Sequence, residues 1–144
     1  MLQEAHVTTL GGLLTAYNRH DAGAFAAQFA PDGIVRIVST ADSAQGREQI
    51  EAFMEPDFHA FPDSQIERRD VYDCARGTWV EWIITGTHAG EFMAQPATHR
   101  GFELHGCSRF TFTHDGLIAE EALYFDPLTI LRQLGLMHDD QRAT

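Results

Sequence analysis

Four extended runs that fold back on one another in pairs fill the second half of the chain, with helical periodicity confined to the stretches before and after them. Residues 64–74 and 78–88 flank Ala75-Arg76-Gly77, and residues 102–113 and 117–126 flank His114-Asp115-Gly116. Apolar and aromatic runs separated by short glycine-containing breaks are the signature of antiparallel hairpins. In the second run Val80, Trp82, Ile84 and His88 fall on one face, as the two-residue period of a strand requires. Helices first and hairpins afterwards is the order of a segregated α+β fold, not of an alternating parallel one. The prediction is a curved mixed or antiparallel sheet wrapped around N-terminal helices, with a central apolar pocket.

Ahead of the hairpins, Leu10, Leu13, Leu14 and Tyr17 follow the spacing of a helix with one buried face, which ends near Arg19. Asp21 caps a second short helix with Phe25 and Phe29 inward, stopped at Pro31-Asp32-Gly33. Residues 34–39 read as a strand. Gly46 opens a third helix in which Ile50, Phe53 and Met54 share a face, ending before Pro56. Residues 89–100 carry Gly90 and Pro96 and form a long hairpin loop, and Leu128, Leu131 and Leu134 line a last short helix ended by Gly135.

The 144 residues, 44% apolar, form a single domain (1–144, core about 8–137). With 21 acidic against 10 basic side chains the formal charge is -11, which disfavours nucleic acid and anionic membranes as partners. No apolar run is long enough to span a bilayer, and the N-terminal MLQEAHVTTL has no signal-peptide pattern; a cytoplasmic location is expected. Cys74 and Cys107, without a Cys-x-x-Cys pair, read as buried thiols. His88, Glu91, His99 and His105 offer metal-ligating types in no recognised pattern, so neither metal nor cofactor is expected.

Several short motifs stand in a characteristic order: Tyr17-Asn18 with Asp21, Phe61-Pro62-Asp63, Gly86-Thr87-His88-Ala89-Gly90-Glu91-Phe92, Asp115-Gly116-Leu117-Ile118, Asp126 and Gln133-Leu134-Gly135. Together they resemble the SnoaL-like polyketide (ester) cyclase family, within the nuclear-transport-factor and ketosteroid-isomerase superfamily. The resemblance implies a cofactor-free enzyme that closes a ring by intramolecular aldol condensation on a polyketide ester, with an aspartate at Asp126 as acid/base. It departs from the family at Gln95-Pro96-Ala97-Thr98-His99, where proline-proline-threonine-glycine is usual, and at 108–112, where a histidine partner is not in evidence. The isomerase base of the superfamily falls within 34–38, which holds no carboxylate, and this disfavours an isomerase.

Deprotonating a carbon between carbonyls needs a base held where water competes poorly, and a carboxylate in an apolar pocket fits. Whether Asp126 faces inward depends on the second hairpin. A two-residue turn at Asp115-Gly116 sets His105 opposite Asp126. A three-residue loop at 114–116 lines Ser108, Phe110 and Phe112 up with Ile118, Ala122, Tyr124 and Asp126, and this register is preferred because it gathers the large apolar groups. Asp126-Pro127 also reads as a helix cap followed by proline at the first helical position. His88 is a candidate to polarise a carbonyl or, equally, to brace its loop. Tyr17 and Tyr124 are candidate hydroxyl donors or simply buried tyrosines; Phe53, Trp82, Phe110 and Phe112 are pocket wall or core. The acidic pairs Glu120-Glu121 and Asp139-Asp140 read as solvated surface.

The cyclase is therefore expected to take an apolar or polycyclic small molecule. The alternatives are an isomerase, dehydratase or epoxide hydrolase of the same superfamily, or a non-catalytic binding module. The resemblance also implies a homodimer, helped by Trp79, Ile83, Leu123 and Phe125, which are expected to form an apolar outer patch for the pairing.

Overall fold

The computed structural model describes residues 2–137. Helix α1 (Glu4–Asn18) buries Leu10, Leu13 and Ala16, one stripe of its surface. Helix α2 (Ala22–Ala27) starts where Asp21 accepts the Ala24 N–H at 2.9 Å. The chain turns extended sooner than the Pro31-Asp32-Gly33 stop signal suggests, so Phe29 belongs to strand β1 (Phe29–Ile37), not to a helix. Residues 30–33 loop out of the ladder opposite Ala119, between the pairs Phe29 with Ile118 and Ile34 with Glu120. The proline thus sits in a bulge, where no ladder hydrogen bond is asked of it.

A short edge strand β2 (Ser43–Gln45) pairs antiparallel with β1, and Gly46, at φ 85°, opens helix α3 (Arg47–Ala60). This helix does not end before Pro56 but runs through it. The carbonyl that loses its partner is that of Ala52, on the exposed side of the helix, where water can replace the bond. The continuation buries Phe58 and Ala60 and adds Asp57 to the inward stripe.

Strands β3 (Gln65–Cys74) and β4 (Gly77–Thr87) form the first hairpin, and β5 (Gly101–Phe112) and β6 (Ile118–Tyr124) the second. The sheet order is β2-β1-β6-β5-β4-β3, with β1 and β6 parallel and the other pairs antiparallel. This is the curved, mixed α+β sheet expected from the order of elements. Helix α4 (Pro127–Gln133) closes one end, with Ile130 and Leu134 buried while Leu128 points outward. It stops at Gly135, φ 73°, where Leu136 N–H reaches Leu131 O and Gly135 N–H reaches Arg132 O, the two bonds of a Schellman ending.

The second hairpin combines both registers weighed above. At its tip Thr113 N–H bonds Leu117 O and Phe112 pairs with Ile118, as the three-residue loop predicts. Between Thr111 and Phe112 the ladder then shifts by one, so that Thr111 faces Glu120, Phe110 faces Glu121 and Cys107 faces Tyr124. A one-residue slip exchanges the two faces of a strand. Beyond the bulge Glu121, Leu123 and Phe125 line the interior, while Tyr124 turns outward against Trp79, ring centroids 5.4 Å apart. The expected outer patch therefore loses Leu123 and Phe125. Cys74, at the hairpin end of the edge strand, is exposed, and Cys107, on the outer face, is half-buried, so neither is the fully buried thiol expected.

Two buried apolar clusters organise the interior. One gathers Leu10, Leu13, Phe25, Met54, Val80 and Phe110 under the helices; the other gathers Phe61, Trp82, Phe102, Leu104, Ile130 and Leu134 toward α4. Gly106 is directly paired with Trp82, and a Cβ there would fall 2.4 Å from the indole ring. Gly106→Ala should push the indole off this strand, costing roughly 1–3 kcal/mol as overpacking does. Urea unfolding and the near-ultraviolet circular dichroism of the tryptophans would show it; an unchanged midpoint and spectrum would contradict the packing.

Candidate active site

A cavity of about 410 Å³ lies between the two clusters and is walled by members of both. Its surface is mainly apolar, from residues such as Leu13, Phe53, Met54, Phe61, Trp82 and Phe110. The side chains that bring polar atoms to it are Tyr17, Thr40, Asp42, Asp57, Arg68 and Glu121.

Glu121 occupies the middle of the sheet floor, paired with Val35 on β1 and Phe110 on β5. It is 6% exposed. Ser108 pairs with Val80 on one side and Leu123 on the other, which makes Trp82 and Glu121 its diagonal neighbours on the same face. The indole Nε1–H donates to Ser108 Oγ at 2.9 Å, and Ser108 Oγ donates to Glu121 Oε2 at 2.8 Å. An indole can only donate, so the serine oxygen accepts from it and its own proton is left for the carboxylate. Glu121 Oε1 has no hydrogen-bond partner among the described residues. Leaving such an atom unpaired costs on the order of 1–3 kcal/mol. Burial pushes the carboxyl up to about 7, against the downward pull of the Ser108 hydrogen bond.

Asp57 also lines the cavity, from α3. By its own surface it is exposed, unlike Glu121, while the protein packed around it raises its carboxyl to about 6 by desolvation. Tyr17 stands near it, its phenol raised by burial first, against the downward pull of the Ser64 side chain, and by the Asp57 charge last. Neither carboxyl owes its shift to the other.

The residues singled out from sequence divide clearly. Tyr17, Phe53, Trp82 and Phe110 line the cavity, and Ser108, fully buried, holds the carboxylate that does so. Phe112 lies to one side, stacked on His6 at 3.9 Å and on Phe110. Tyr124 is on the outer face. Asp126 is exposed and caps α4, accepting the Leu128 N–H at 2.9 Å; it is Phe125 and Pro127 beside it that line the cavity. The inward orientation expected for Asp126 is not found, because the bulge has exchanged the faces. His88 is wholly buried behind Phe61 and Phe92, whose ring centroids lie 5.9 and 6.1 Å from its own. Thr98 N–H donates to its Nδ1 at 3.2 Å, with Thr98 Oγ1 at 3.0 Å. The ring proton therefore sits on Nε2, which has no partner among the described residues.

Of the acidic pair read as solvated, Glu120 bridges Arg36 at 3.2 Å and Arg109 at 2.9 Å on the outer face, whereas Glu121 is the cavity's buried carboxylate. Asp139 and Asp140 lie outside the described residues. Asp57 was hidden behind the assumption that Pro56 ends the helix. Among the described residues no three His, Cys, Asp or Glu side chains converge as a metal site would need, and no helix is long and apolar enough to cross a membrane.

The model of the SnoaL-like polyketide cyclase family matches residues 8–134. The chain belongs to this family. Among curated proteins none matches it in sequence. Solved structures that resemble it include IdmH of Streptomyces antibioticus, described as a candidate polyketide cyclase, at 29% identity over 92% of this chain and 99% of that one, TM-score 0.72. TsrD of Streptomyces laurentii superposes with TM-score 0.80 at 23% identity, covering 95% of this chain and 100% of the other. A protein of ketosteroid isomerase-like fold from Catenulispora acidiphila does so with TM-score 0.76 at 17% identity, over 90% and 93%. Membership in the SnoaL-like family points to cyclase- or isomerase-type chemistry on a small molecule.

Glu121 also makes stability depend on pH. Its carboxyl rises from 4.5 to about 7 on folding, so the native chain keeps a proton that the unfolded chain releases in that window. The stability tied to this proton is present below pH 4.5 and lost as pH rises through about 7, a change on the order of 3 kcal/mol. Glu121→Gln removes it, so urea unfolding should find the variant gaining on the parent between pH 5 and pH 8. Parallel pH profiles for the two proteins would contradict the buried carboxyl.

Proposed function

We propose that the cavity is the active site of a cofactor-independent cyclase that closes a ring in a polyketide-like ester by intramolecular aldol addition, with Glu121 as acid and base. The observation that carries this reading is the geometry of one carboxylate: Oε2 held by the Trp82–Ser108 chain, Oε1 unpartnered, apolar walls around both. A base fixed by one oxygen and free at the other can be approached by a carbon acid in one orientation. Exclusion of water keeps its proton affinity near neutrality, where it can both take and return a proton.

In the reaction Glu121 Oε1 takes a proton from a carbon flanked by carbonyls, and the C–H electron pair becomes the enolate. The enolate carbon attacks a second carbonyl of the same molecule, forming the ring bond and leaving an alkoxide. The alkoxide takes the proton back from Glu121, which ends as it began. The base role that resemblance gives to Asp126 is carried here by Glu121, and Asp126 starts the helix that closes the cavity. His88, accepting the Thr98 N–H at Nδ1 behind Phe61 and Phe92, supports the wall and the 89–100 loop. We further propose that two copies pair through the outer sheet face, where Tyr72 is exposed and Trp79 and Tyr124 are half-buried.

The test is deuterium exchange from solvent into a cyclic 1,3-diketone probe, followed by NMR. Glu121→Gln should slow protein-dependent exchange by roughly 10²-fold or more. The parent rate should rise with pH and level off above about 7, because the base works deprotonated. Asp126→Asn should keep the rate and lose at most about 1 kcal/mol of stability, the size of a weakened cap. Unchanged exchange in Glu121→Gln, or its loss in a folded Asp126→Asn, would overturn the assignment.

A further inference from the structure

We propose that Asp57 and the Tyr17 hydroxyl form a second polar pole in the cavity, built to hold a hydroxyl group of the ligand at a distance from the carbon that Glu121 addresses. This rests on the cavity being the ligand site, and not on the chemistry assigned to Glu121.

Asp57 continues the inward stripe of α3 after Ile50, Phe53 and Met54, positions that repeat at helical spacing. An apolar side chain would serve packing there; a carboxylate does not. Among the described residues the Asp57 carboxylate has neither a hydrogen bond nor an ion pair, only its backbone carbonyl accepting from Phe61 N–H. Arg68, the cation on the cavity wall, makes no ion pair with it, and burial is the cause given by its surroundings for its raised carboxyl. The group is thus both accessible from the cavity and unmatched.

Tyr17 comes to the same region from α1. Its ring packs edge-on against Phe58, centroids 5.2 Å apart, the residue next to Asp57. Ser64, 2% exposed, lies beside its hydroxyl and draws the phenol down. Ser64 is in turn fixed through its carbonyl, 2.7 Å from His20 Nε2, and the His20 ring stacks on Phe58. The phenol is therefore positioned from behind by buried groups.

The two side chains have complementary capacities. Tyr17, raised by burial, stays protonated and can donate; ionised Asp57 accepts only. A ligand ketone would accept from the Tyr17 hydroxyl and leave the carboxylate unmatched. A ligand carboxylate would face repulsion from Asp57, and an ammonium could not accept from Tyr17. A neutral alcohol, enol or phenol does both, donating to Asp57 and accepting from Tyr17. Since Asp57 stands on the helical wall and Glu121 on the sheet floor, the ligand is an apolar body with a hydroxyl at one pole and a carbon acid at the other.

Equilibrium binding of 2-naphthol and of 2-fluoronaphthalene, which differ in the hydroxyl at nearly equal size, reads this pole directly. The intact parent protein should prefer the naphthol by roughly tenfold or more, as a matched buried hydrogen-bonding group does. Asp57→Leu and Tyr17→Phe should each bring the two affinities to within about threefold, while Glu121→Gln keeps the preference. Circular dichroism checks that each variant folds, and Tyr17→Phe decides alone if Asp57→Leu does not. No preference in the parent, or a preference that survives at both positions, overturns the pole. A preference lost only in Glu121→Gln places the hydroxyl on the floor and overturns it equally. Loss of diketone exchange in Glu121→Gln speaks to the base alone, so the two readings fail separately.

Discussion

The interior of this protein depends on one extra residue in β6. Near the hairpin tip Phe112 stands opposite Ile118, and one step later Thr111 stands opposite Glu120, with Ala119 taken up by the shift. Because side chains alternate across a sheet, everything after that point changes sides. The outer ion pairs help fix the result: Glu120 is held between Arg36 and Arg109, partly exposed contacts worth little singly but placed on both neighbouring strands. With Glu120 committed outward, Glu121 has only the cavity to enter.

What Glu121 enters is a space between two apolar clusters, and the sheet supplies one polar chain to receive it. The serine that bonds it lies diagonal to both the glutamate and the tryptophan, and the missing side chain at Gly106 lets the indole reach across. Such an arrangement opposes stability, since a carboxylate with one unpaired oxygen is costly in a dry interior. That cost is the usual mark of a group kept for chemistry, and a carboxyl displaced toward neutrality in an apolar cavity is a recurring form of it. The SnoaL-like fold provides the cavity; the reaction is argued from the groups that this chain places in it.

The architecture was largely legible in the sequence. The hairpins at 75–77 and 114–116, the capped helix after Asp21 and the Gly135 ending all rest on local chemistry that needs no long-range information, and the family motifs agree with them. Trp82 and Phe110 could be placed on the inner face by alternation alone. The departures along β6 share one cause. A bulge is a non-local event: nothing in Ile118-Ala119-Glu120-Glu121 announces that one residue is skipped, so alternation alone puts Leu123 and Phe125 outward and Asp126 inward. Pro56 misled for a related reason. A proline normally ends a helix, but here the freed carbonyl faces water and burial of Phe58 carries the helix on, bringing Asp57 to the cavity. In each case tertiary burial outweighed the local signal.

The central claim is that Glu121 titrates close to neutrality inside the folded protein. Carbon-13 NMR of glutamate-labelled protein, with Glu121→Gln to assign the carboxyl resonance, measures this without any substrate. The account predicts a single glutamate carboxyl with a midpoint near 7 that is missing from the variant. A Glu121 midpoint in the ordinary range near 4.5 would mean that the carboxylate is hydrated, and would contradict the buried base on which the proposed reaction stands.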